Sequence, residues 1–494
     1  MKKKSFVKDL ILIALPISIQ ALFQASLSVI DQFMVGQLGE ASISAIAFGG
    51  KFSGILTFTI YAISGTASIM MAQYIGNKNP QGVKKSFALN LFIGFIVACV
   101  FFVLGFFATN FVMKCFTNDE NVIPLGNDYL KIVALSYFPI LGSSMINSYL
   151  QNNKKSYLTM IVGLLGVIMN TLLNWILIFG MGNIEAMGVK GAAIATSITQ
   201  YSGFLLLLVF AFFTARKSDY KLSLSFSGID KEFIKKNMII AAPFIFTEFM
   251  WSLGESVYSS IYGHMSTEAM AAMANIGPVI SLSIGFFSGL AAATGILTGQ
   301  KLGEKDGDMA YKYAKRFIAT ELVGSIIMAI IVAIIARPYS EIYKVSNESK
   351  DMTVAILYVY AIVLWAKVSN MVAGRIIQSG GKTTLNMAIN LIGTWIFGIP
   401  LGFLAASVWD LPIHWVYFII SLEELVRCIL CFIIIKSKKW IKFITNDSQD
   451  GDESGRDIEE ELSWWSINWF IRSKRRSIWF FNEWNTSFRD SLYY

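Results

Sequence analysis

Long apolar stretches separated by short polar segments occupy most of the chain. Each stretch is long enough to cross the roughly 30 Å hydrocarbon layer of a bilayer as an α-helix, which takes about 20 residues. The pattern therefore predicts twelve membrane-spanning helices. They cover residues 9–35, 42–74, 86–113, 128–150, 157–181, 189–215, 233–262, 269–300, 313–336, 352–377, 384–408 and 414–436.

The composition agrees with a protein embedded in a lipid bilayer. Of the 494 residues, 55% are hydrophobic and 15% are charged, whereas soluble domains average about 25% charged residues. The mean hydropathy is +0.56. We classify the chain as an all-α, multi-pass membrane protein. Its first apolar stretch lacks an A-x-A cleavage site and is too long for a signal peptide, so we expect a retained first helix.

Lysine and arginine residues are concentrated in alternate connecting segments. With the N-terminus inside, the outside segments before residue 443 hold only six of them. The inside segments that hold the others are 2–8, 78–85, 154–155, 216–236, 301–316, 375–382 and 436–442. The positive-inside rule then predicts a cell-membrane protein with both termini in the cytoplasm. The net charge of +8 marks this orientation, and we expect no nucleic-acid partner.

The sequence matches itself at a shift of 227 residues, from the first predicted helix to the loop after the fourth. The matching pairs include Pro16 with Pro243, Gly36 with Gly263, Gln73 with Gln300, Gly76 with Gly303, Gln151 with Gln378 and Lys155 with Lys382. Because a six-helix unit starts and ends on the same side, we predict two six-helix bundles related by a pseudo-twofold axis along the membrane normal. The bundles would cover residues 1–220 and 221–443. Residues 444–494 form an acidic linker and a tryptophan-rich basic tail, to which we assign no role.

The first predicted helix carries a polar stripe. Gln20, Gln24, Ser28 and Asp31 follow one another at spacings that place them on one helix face. An ionised side chain near the bilayer centre costs at least about 2.5 kcal/mol unless it faces water or a partner. Asp31 is therefore the main candidate for ion coupling, because a carboxylate in a poorly solvated cavity can exchange a proton at physiological pH. An ion pair between Asp31 and Lys51 of the second helix is the structural alternative.

The second half carries a related stripe on the seventh predicted helix. Positions 20, 24, 28 and 31 shifted by 227 become Thr247, Trp251, Glu255 and Tyr258, and Glu248 lies two turns from Glu255. Acidic and aromatic walls favour a flat, cationic guest. The predicted substrate site comprises Gln20, Gln24, Ser28, Glu248, Trp251, Glu255 and Tyr258. A structural hydrogen bond of Glu255 between helices is the alternative.

Several motifs resemble the multidrug and toxic compound extrusion family over about residues 5 to 442. They are LPISIQALFQASLSVIDQFMVGQLG, the paired QYIGNKNP and QKLGEKDG loops, NTLLNWILIFG followed by GVKGAAIATSIT, and QSGGKTTLNMAINLIGTWIFGIPLG. The resemblance implies an antiporter that exports amphiphilic, often cationic drugs by alternating access while protons or sodium ions enter. We expect a monomer whose partners are the lipid bilayer and these small substrates, with H⁺ or Na⁺ as coupling ion and no other cofactor.

Carried onto this chain, the family's coupling residues are Asp31, Asn170, Asn174 and Thr196. Some members have an acid where Asn174 stands. The site would therefore use either proton exchange at Asp31 or sodium bound by the amide and hydroxyl oxygens beside it. We expect no sodium site in the second half, since residues 352–409 contain no Asp or Glu.

Two other functions remain as alternatives. A lipid-linked precursor flippase of the same superfamily would have a strongly cationic cavity, for which Lys51, Lys367 and Arg375 are candidates, although the acids on the first and seventh helices argue against it. A membrane enzyme is a remote alternative, because the chain has two histidines and no phosphate loop or nucleophile motif. In the twelfth helix we expect Glu424 and Arg427 to form a structural pair.

Overall fold

The computed structural model describes residues 3–182, 184–222, 226, 228–343 and 345–445, and these are almost entirely α-helical. The long helices, numbered α1 to α12, are Lys3–Gly36, Glu40–Gly76, Pro80–Phe107, the bent pair Val122–Ala134 and Tyr137–Asn152 (α4), Ser156–Phe179, Val189–Lys217, Lys231–Gly263, Thr267–Gly303, Gly307–Ser340, Asn347–Ser379, Thr383–Val408 and Ile413–Ser437. A short helix, Thr109–Lys114, connects α3 to α4. The chain up to Ile444 forms one compact unit. The predicted tail lies outside the described residues from position 446 onward.

The predicted all-α membrane fold is confirmed. Within the described residues, ten helices are long and apolar enough to cross a membrane, and the bent pair of α4 makes eleven. The remaining helix, α12, has 25 residues and is about 37 Å long at 1.5 Å per residue, which also suffices. It is less apolar because Glu423, Glu424 and Arg427 are buried in it. Each of the twelve predicted stretches therefore corresponds to one helix.

The bend of 46° in α4 lies between Ala134 and Tyr137. Pro139 has no N–H with which to bond the carbonyl of Leu135 four residues earlier. That carbonyl instead accepts a hydrogen bond from Tyr201 Oη of α6 at 2.8 Å. The proline thus explains the break, and the neighbouring helix satisfies the backbone group that the proline leaves free.

The loops after α2 and α8 have the same conformation at positions 227 residues apart. Lys78 and Lys305 both adopt the left-handed conformation, with φ of 52° and 59°. The next residues, Asn79 and Asp306, cap α3 and α9 by accepting hydrogen bonds from the backbone N–H three residues on, at 2.9 Å in both cases. The two loops that match in sequence therefore start their helices in the same way.

Two large hydrophobic cores lie within the described part of the chain, one built mainly from α2–α6 and the other from α8–α12. The start of α1 packs into the second core through Phe6 and Ile13. The start of α7 packs into the first core through Phe233 and Ile240, which are the positions equivalent to Phe6 and Ile13 at the 227-residue shift. Each half therefore sends the beginning of its first helix into the core of the other half.

The two halves make reciprocal hydrogen bonds at the end of the bundle where α2 and α8 finish, which we call the closed end. Gln73 Nε2 donates to the Ser379 carbonyl at 2.7 Å. Gln300 Nε2 donates to the Asn152 carbonyl at 3.0 Å. Donors and acceptors are both related by the 227-residue shift, so each half bonds the other through equivalent atoms.

Two glycines let the same helix ends approach one another. A Cβ atom at Gly76 would lie 2.0 Å from the Gln300 carbonyl oxygen, and one at Gly303 would lie 1.9 Å from that of Gln73. Residues with side chains do not allow backbones to come this close. We refer to Gln73, Gly76, Gln300 and Gly303 together as the latch.

Residues 440–444, which we call the strap, cross the closed end after α12. Trp440 is fully buried in the second core and Ile444 is buried in the first. The Ile444 N–H donates to Gln73 Oε1 at 2.7 Å, and Lys236 Nζ donates to the Ile444 carbonyl at 2.8 Å. The strap therefore joins the two halves at the latch.

Candidate functional site

The structure brings together three of the four predicted coupling residues. Asn170 and Asn174 lie one turn apart on α5 and face α1, where they are 5% and 3% exposed. Asn174 Nδ2 donates to Asp31 Oδ1 at 2.8 Å and to Asn170 Oδ1 at 3.1 Å. One amide nitrogen therefore lies between two oxygens in the interior of the first half.

This arrangement resembles a cation site in which an N–H group takes the place of the cation. Asn174 Oδ1 is buried and has no hydrogen-bond partner among the described residues. Rotation of the Asn174 amide would direct that oxygen towards Asp31 and Asn170 and complete a set of three oxygens, the ligand type that hard cations prefer. Alternatively, a proton on Asp31 would remove the charge that the amide N–H now contacts. The geometry permits both kinds of ion.

The rest of the α1 stripe is divided between packing and exposure. Gln20 is half-buried, and its side chain fills the space beside Gly163 of α5, where a Cβ would lie 2.7 Å from Gln20 Cγ. Gln24 and Ser28 are exposed. Thr196, the fourth predicted coupling residue, is half-buried on α6. Within the described part of the structure, its side chain has no hydrogen bond to Asp31.

The alternative ion pair between Asp31 and Lys51 is not formed. Lys51 is exposed, and its Nζ lies 5.9 Å from the centroid of the Phe48 ring. Asp31 lies five residues before the end of α1, whereas Lys51 lies eleven residues after the start of α2. At 1.5 Å per residue their depths differ by about 9 Å, because the two helices run in opposite directions from a short turn. Asn174, rather than Lys51, is the partner of Asp31.

The predicted substrate face of α7 meets different surroundings along its length. Trp251 is 41% exposed and packs edge-on against Phe58 of α2, with ring centroids 5.8 Å apart. Glu248 is half-buried and Glu255 is exposed. Tyr258 is buried, and its hydroxyl donates to Glu423 Oε2 of α12 at 2.6 Å. The structure therefore places Glu248, Trp251 and Glu255 within reach of a guest, and Tyr258 inside the second half.

Tyr258 is bound to a buried group of charged residues, here called the α12 cluster: Lys367, Glu423, Glu424 and Arg427. Arg427 bonds Glu423, the acid one turn earlier, and its Nη1 lies 3.9 Å from Glu424 Oε2. Lys367 Nζ lies 3.8 Å from Glu424 Oε1. The expected pair of Glu424 with Arg427 is present, but Glu423 is the nearer partner. Two acids and two bases leave the cluster without net charge.

Helix α11 widens to make room for this cluster. Residues Ile392–Gly398 form a π-helix, a geometry often found at functional sites. A Cβ at Gly393 would lie 2.5 Å from Arg427 Cγ, and one at Gly398 would lie 2.0 Å from Tyr258 Oη. The sequence analysis did not predict the link from Tyr258 to Glu423. The two glycines and the acidic pair in an apolar helix were the available signals.

Comparisons with known proteins agree with the repeat and the fold. The model of the MatE family matches residues 16–176 and again residues 243–404. The two matches begin 227 residues apart, at Pro16 and Pro243. A probable multidrug resistance protein NorM of Bacillus cereus (strain ATCC 10987 / NRS 248) is 24% identical over 426 residues, which cover 84% of this chain and 92% of that protein.

Two solved structures share the fold. One is described as the outward-facing conformation of a multidrug resistance MATE family transporter of the MOP superfamily; it has a TM-score of 0.79 at 19% identity and covers 88% of this chain and 96% of its own. The other is a MOP superfamily transporter from Pyrococcus furiosus, described as having a binding pocket of reverse polarity that suggests a different function. It gives the same TM-score, identity and coverage.

Proposed function

The chain belongs to the MatE family, and we propose that it is an antiporter that exports amphiphilic, often cationic compounds from the cytosol in exchange for protons or sodium ions. The observation that carries this proposal is the buried group of Asp31, Asn170 and Asn174 inside an otherwise apolar bundle. An intramembrane carboxylate held by amides is a candidate ion site by default. We expect the protein to work as a monomer in the cell membrane.

Coupling requires that the ion bind two conformations with different affinity. A proton on Asp31 would weaken its bond to Asn174 Nδ2, since hydrogen bonds to a charged acceptor are roughly twice as strong as neutral ones. Sodium would instead recruit the oxygen of Asn174 and hold α1 and α5 together through Asp31 and Asn170. Either event changes the packing of α1 on α5.

Helix α1 connects the ion site to the closed end. Near its middle, Ser18 Oγ donates to the Phe286 carbonyl of α8 at 2.5 Å. Gly289 of α8 admits the backbone of α1, because a Cβ there would lie 2.0 Å from the Ala14 carbonyl oxygen. A movement of α1 at Asp31 is therefore passed to α8, which ends in the latch.

The closed end faces the cytosol in this proposal. The loops after α2 and α8 carry Lys78 and Lys305 and are among the lysine-rich segments that the positive-inside rule assigns to that side. The latch then shuts the cytosolic entrance, and the bound ion changes the balance between this state and one that is open to the cytosol.

The test measures efflux of ethidium from energised vesicles, with a proton gradient or a sodium gradient imposed separately. Wild-type protein should respond to one of the two gradients, and Asp31→Asn should abolish that response. Lys51→Gln is the matched control and should retain efflux, because Lys51 does not bond Asp31. Unchanged efflux in Asp31→Asn would refute the assignment of coupling to this residue.

A lipid-linked precursor flippase is the second candidate. Arg375 favours it, because this residue lines a cavity between the two halves. Glu248 and Glu255 on α7 argue against it, because they would repel a pyrophosphate head group. Wild-type vesicles that show no efflux under either gradient, although the protein is folded, would favour the flippase.

A further inference from the structure

A small cavity between the two halves lies next to the latch. Its volume is about 160 Å³, which suits one charged head group and excludes a whole drug molecule. Its lining contains equivalent positions from both halves: Tyr61 with Ser288, Ser148 with Arg375, and Gln151 with Gln378. The cavity is therefore built from the same positions of the two repeats, and Arg375 is its one charged lining residue.

Arg375 reaches the cavity without an acidic partner. Its guanidinium donates to the Tyr61 hydroxyl and, at 3.0 Å, to Gln378 Oε1. Its centre lies 5.6 Å from the centroid of the Phe244 ring. Among the described residues no carboxylate forms an ion pair with Arg375, and Glu248 interacts with it only at longer range. An unpaired cation inside a membrane bundle is costly unless a ligand compensates it.

The groups around Arg375 can donate hydrogen bonds to a guest. Tyr61 and Gln378 accept from Arg375, which leaves the tyrosine O–H and the Gln378 NH₂ group free to donate. The Ser68 hydroxyl accepts from Asn152 Nδ2 at 2.8 Å, so its own proton is also free. No Asp or Glu lines the cavity. A positive charge surrounded by donors is a site for an anion.

We propose that this cavity binds the carboxylate of an exported amphiphile, so that the substrates include zwitterions as well as cations. The inference rests on the proposed export function and adds to it a class of substrate. Phe244 and Met371 supply apolar contacts beside the guanidinium. Glu248, which is close enough to feel the charge of Arg375, would take the cationic group of the same molecule.

The test compares two dyes that differ in one group: a rhodamine methyl ester, which is a cation, and its free acid, which is a zwitterion. In vesicles, wild-type protein should export both. Arg375→Gln should raise the KM for the acid at least about tenfold and change the KM for the ester by less than about twofold, as expected for loss of a charge-assisted hydrogen bond. Arg375→Lys should lie between the two, because it keeps the charge and loses the planar donor pair.

Arg337→Gln serves as the matched arginine control, since Arg337 lies at the exposed end of α9 and pairs with Asp351. It should leave both dyes unaffected. Equal loss of ester and acid transport in Arg375→Gln would overturn the inference and assign Arg375 a structural role. Wild-type export of the ester alone would also overturn it and leave the proposed function intact. Wild-type export of neither dye would overturn the proposed function itself.

Discussion

Replacing Gln73 of the latch by alanine should shift the protein towards a state in which the closed end opens. Gln73 is fully buried and makes three hydrogen bonds across the closed end: to the Ser379 carbonyl at 2.7 Å, to the Lys442 carbonyl at 3.2 Å, and from the Ile444 N–H at 2.7 Å. All three atoms lie in the second half or in the strap. None of these bonds can survive if the halves separate at this end.

The expected size follows from the number of bonds. A buried hydrogen bond contributes a net of about 1 kcal/mol. Loss of three therefore favours the open state by about 3 kcal/mol, or roughly 150-fold. Gln300→Ala is the matched control, because Gln300 occupies the equivalent position and makes one cross-half bond, to the Asn152 carbonyl at 3.0 Å. Its loss should change the ratio by only roughly fivefold.

Pulsed electron paramagnetic resonance can measure this shift. Spin labels at Lys78 and Lys305 would report the separation of the loops after α2 and α8, once the four native cysteines are replaced. We expect a population at longer distance that is largest in Gln73→Ala, smaller in Gln300→Ala and smallest in the unsubstituted chain. Superimposable distance distributions in all three proteins, or a larger effect of Gln300→Ala, would refute the reasoning.

The sequence was sufficient to predict the helices and the repeat, because both depend on local composition and on spacing along the chain. Helix α12 could be predicted although it holds Glu423, Glu424 and Arg427, since the apolar residues around them set its length. The 227-residue shift also indicated which residues would meet: the matched positions Gln73 and Gln300 both lie in the latch. A repeat places equivalent atoms near a common axis.

The side-chain partners could not be predicted in this way. Asp31 and Asn174 are 143 residues apart, and only the family resemblance connected them. Tyr258 occupies the position equivalent to Asp31, yet it bonds Glu423 of α12 and not a residue of α11. The reason is the π-helix in α11, a local change of backbone that hydrophobic periodicity does not encode.

The two halves thus share a backbone plan and differ in charge. In the first half, the acid Asp31 is held by neutral amides, so an incoming cation would find an uncompensated carboxylate. In the second half, Glu423 and Glu424 already have Arg427 and Lys367 as partners. A cation entering the second half would have to displace a tethered one. This asymmetry supports the proposal that coupling occurs at Asp31 alone.

Two further predictions concern stability. Arg427→Met should lower the free energy of unfolding by about 3–5 kcal/mol, because it leaves Glu423 buried and unpaired, whereas Lys367→Met should cost less, since the Lys367 side chain is 33% exposed; thermal unfolding in detergent checks both, and equal losses would contradict the ranking. A chain that ends after Ile444 should unfold at the temperature of the full-length protein, whereas one that ends after Lys439 should lose at least about 3 kcal/mol. The second truncation removes the fully buried Trp440 and the strap bonds to Gln73 and Lys236. Equal stability of the two truncated chains would mean that the strap only lies on the closed end and does not hold it shut.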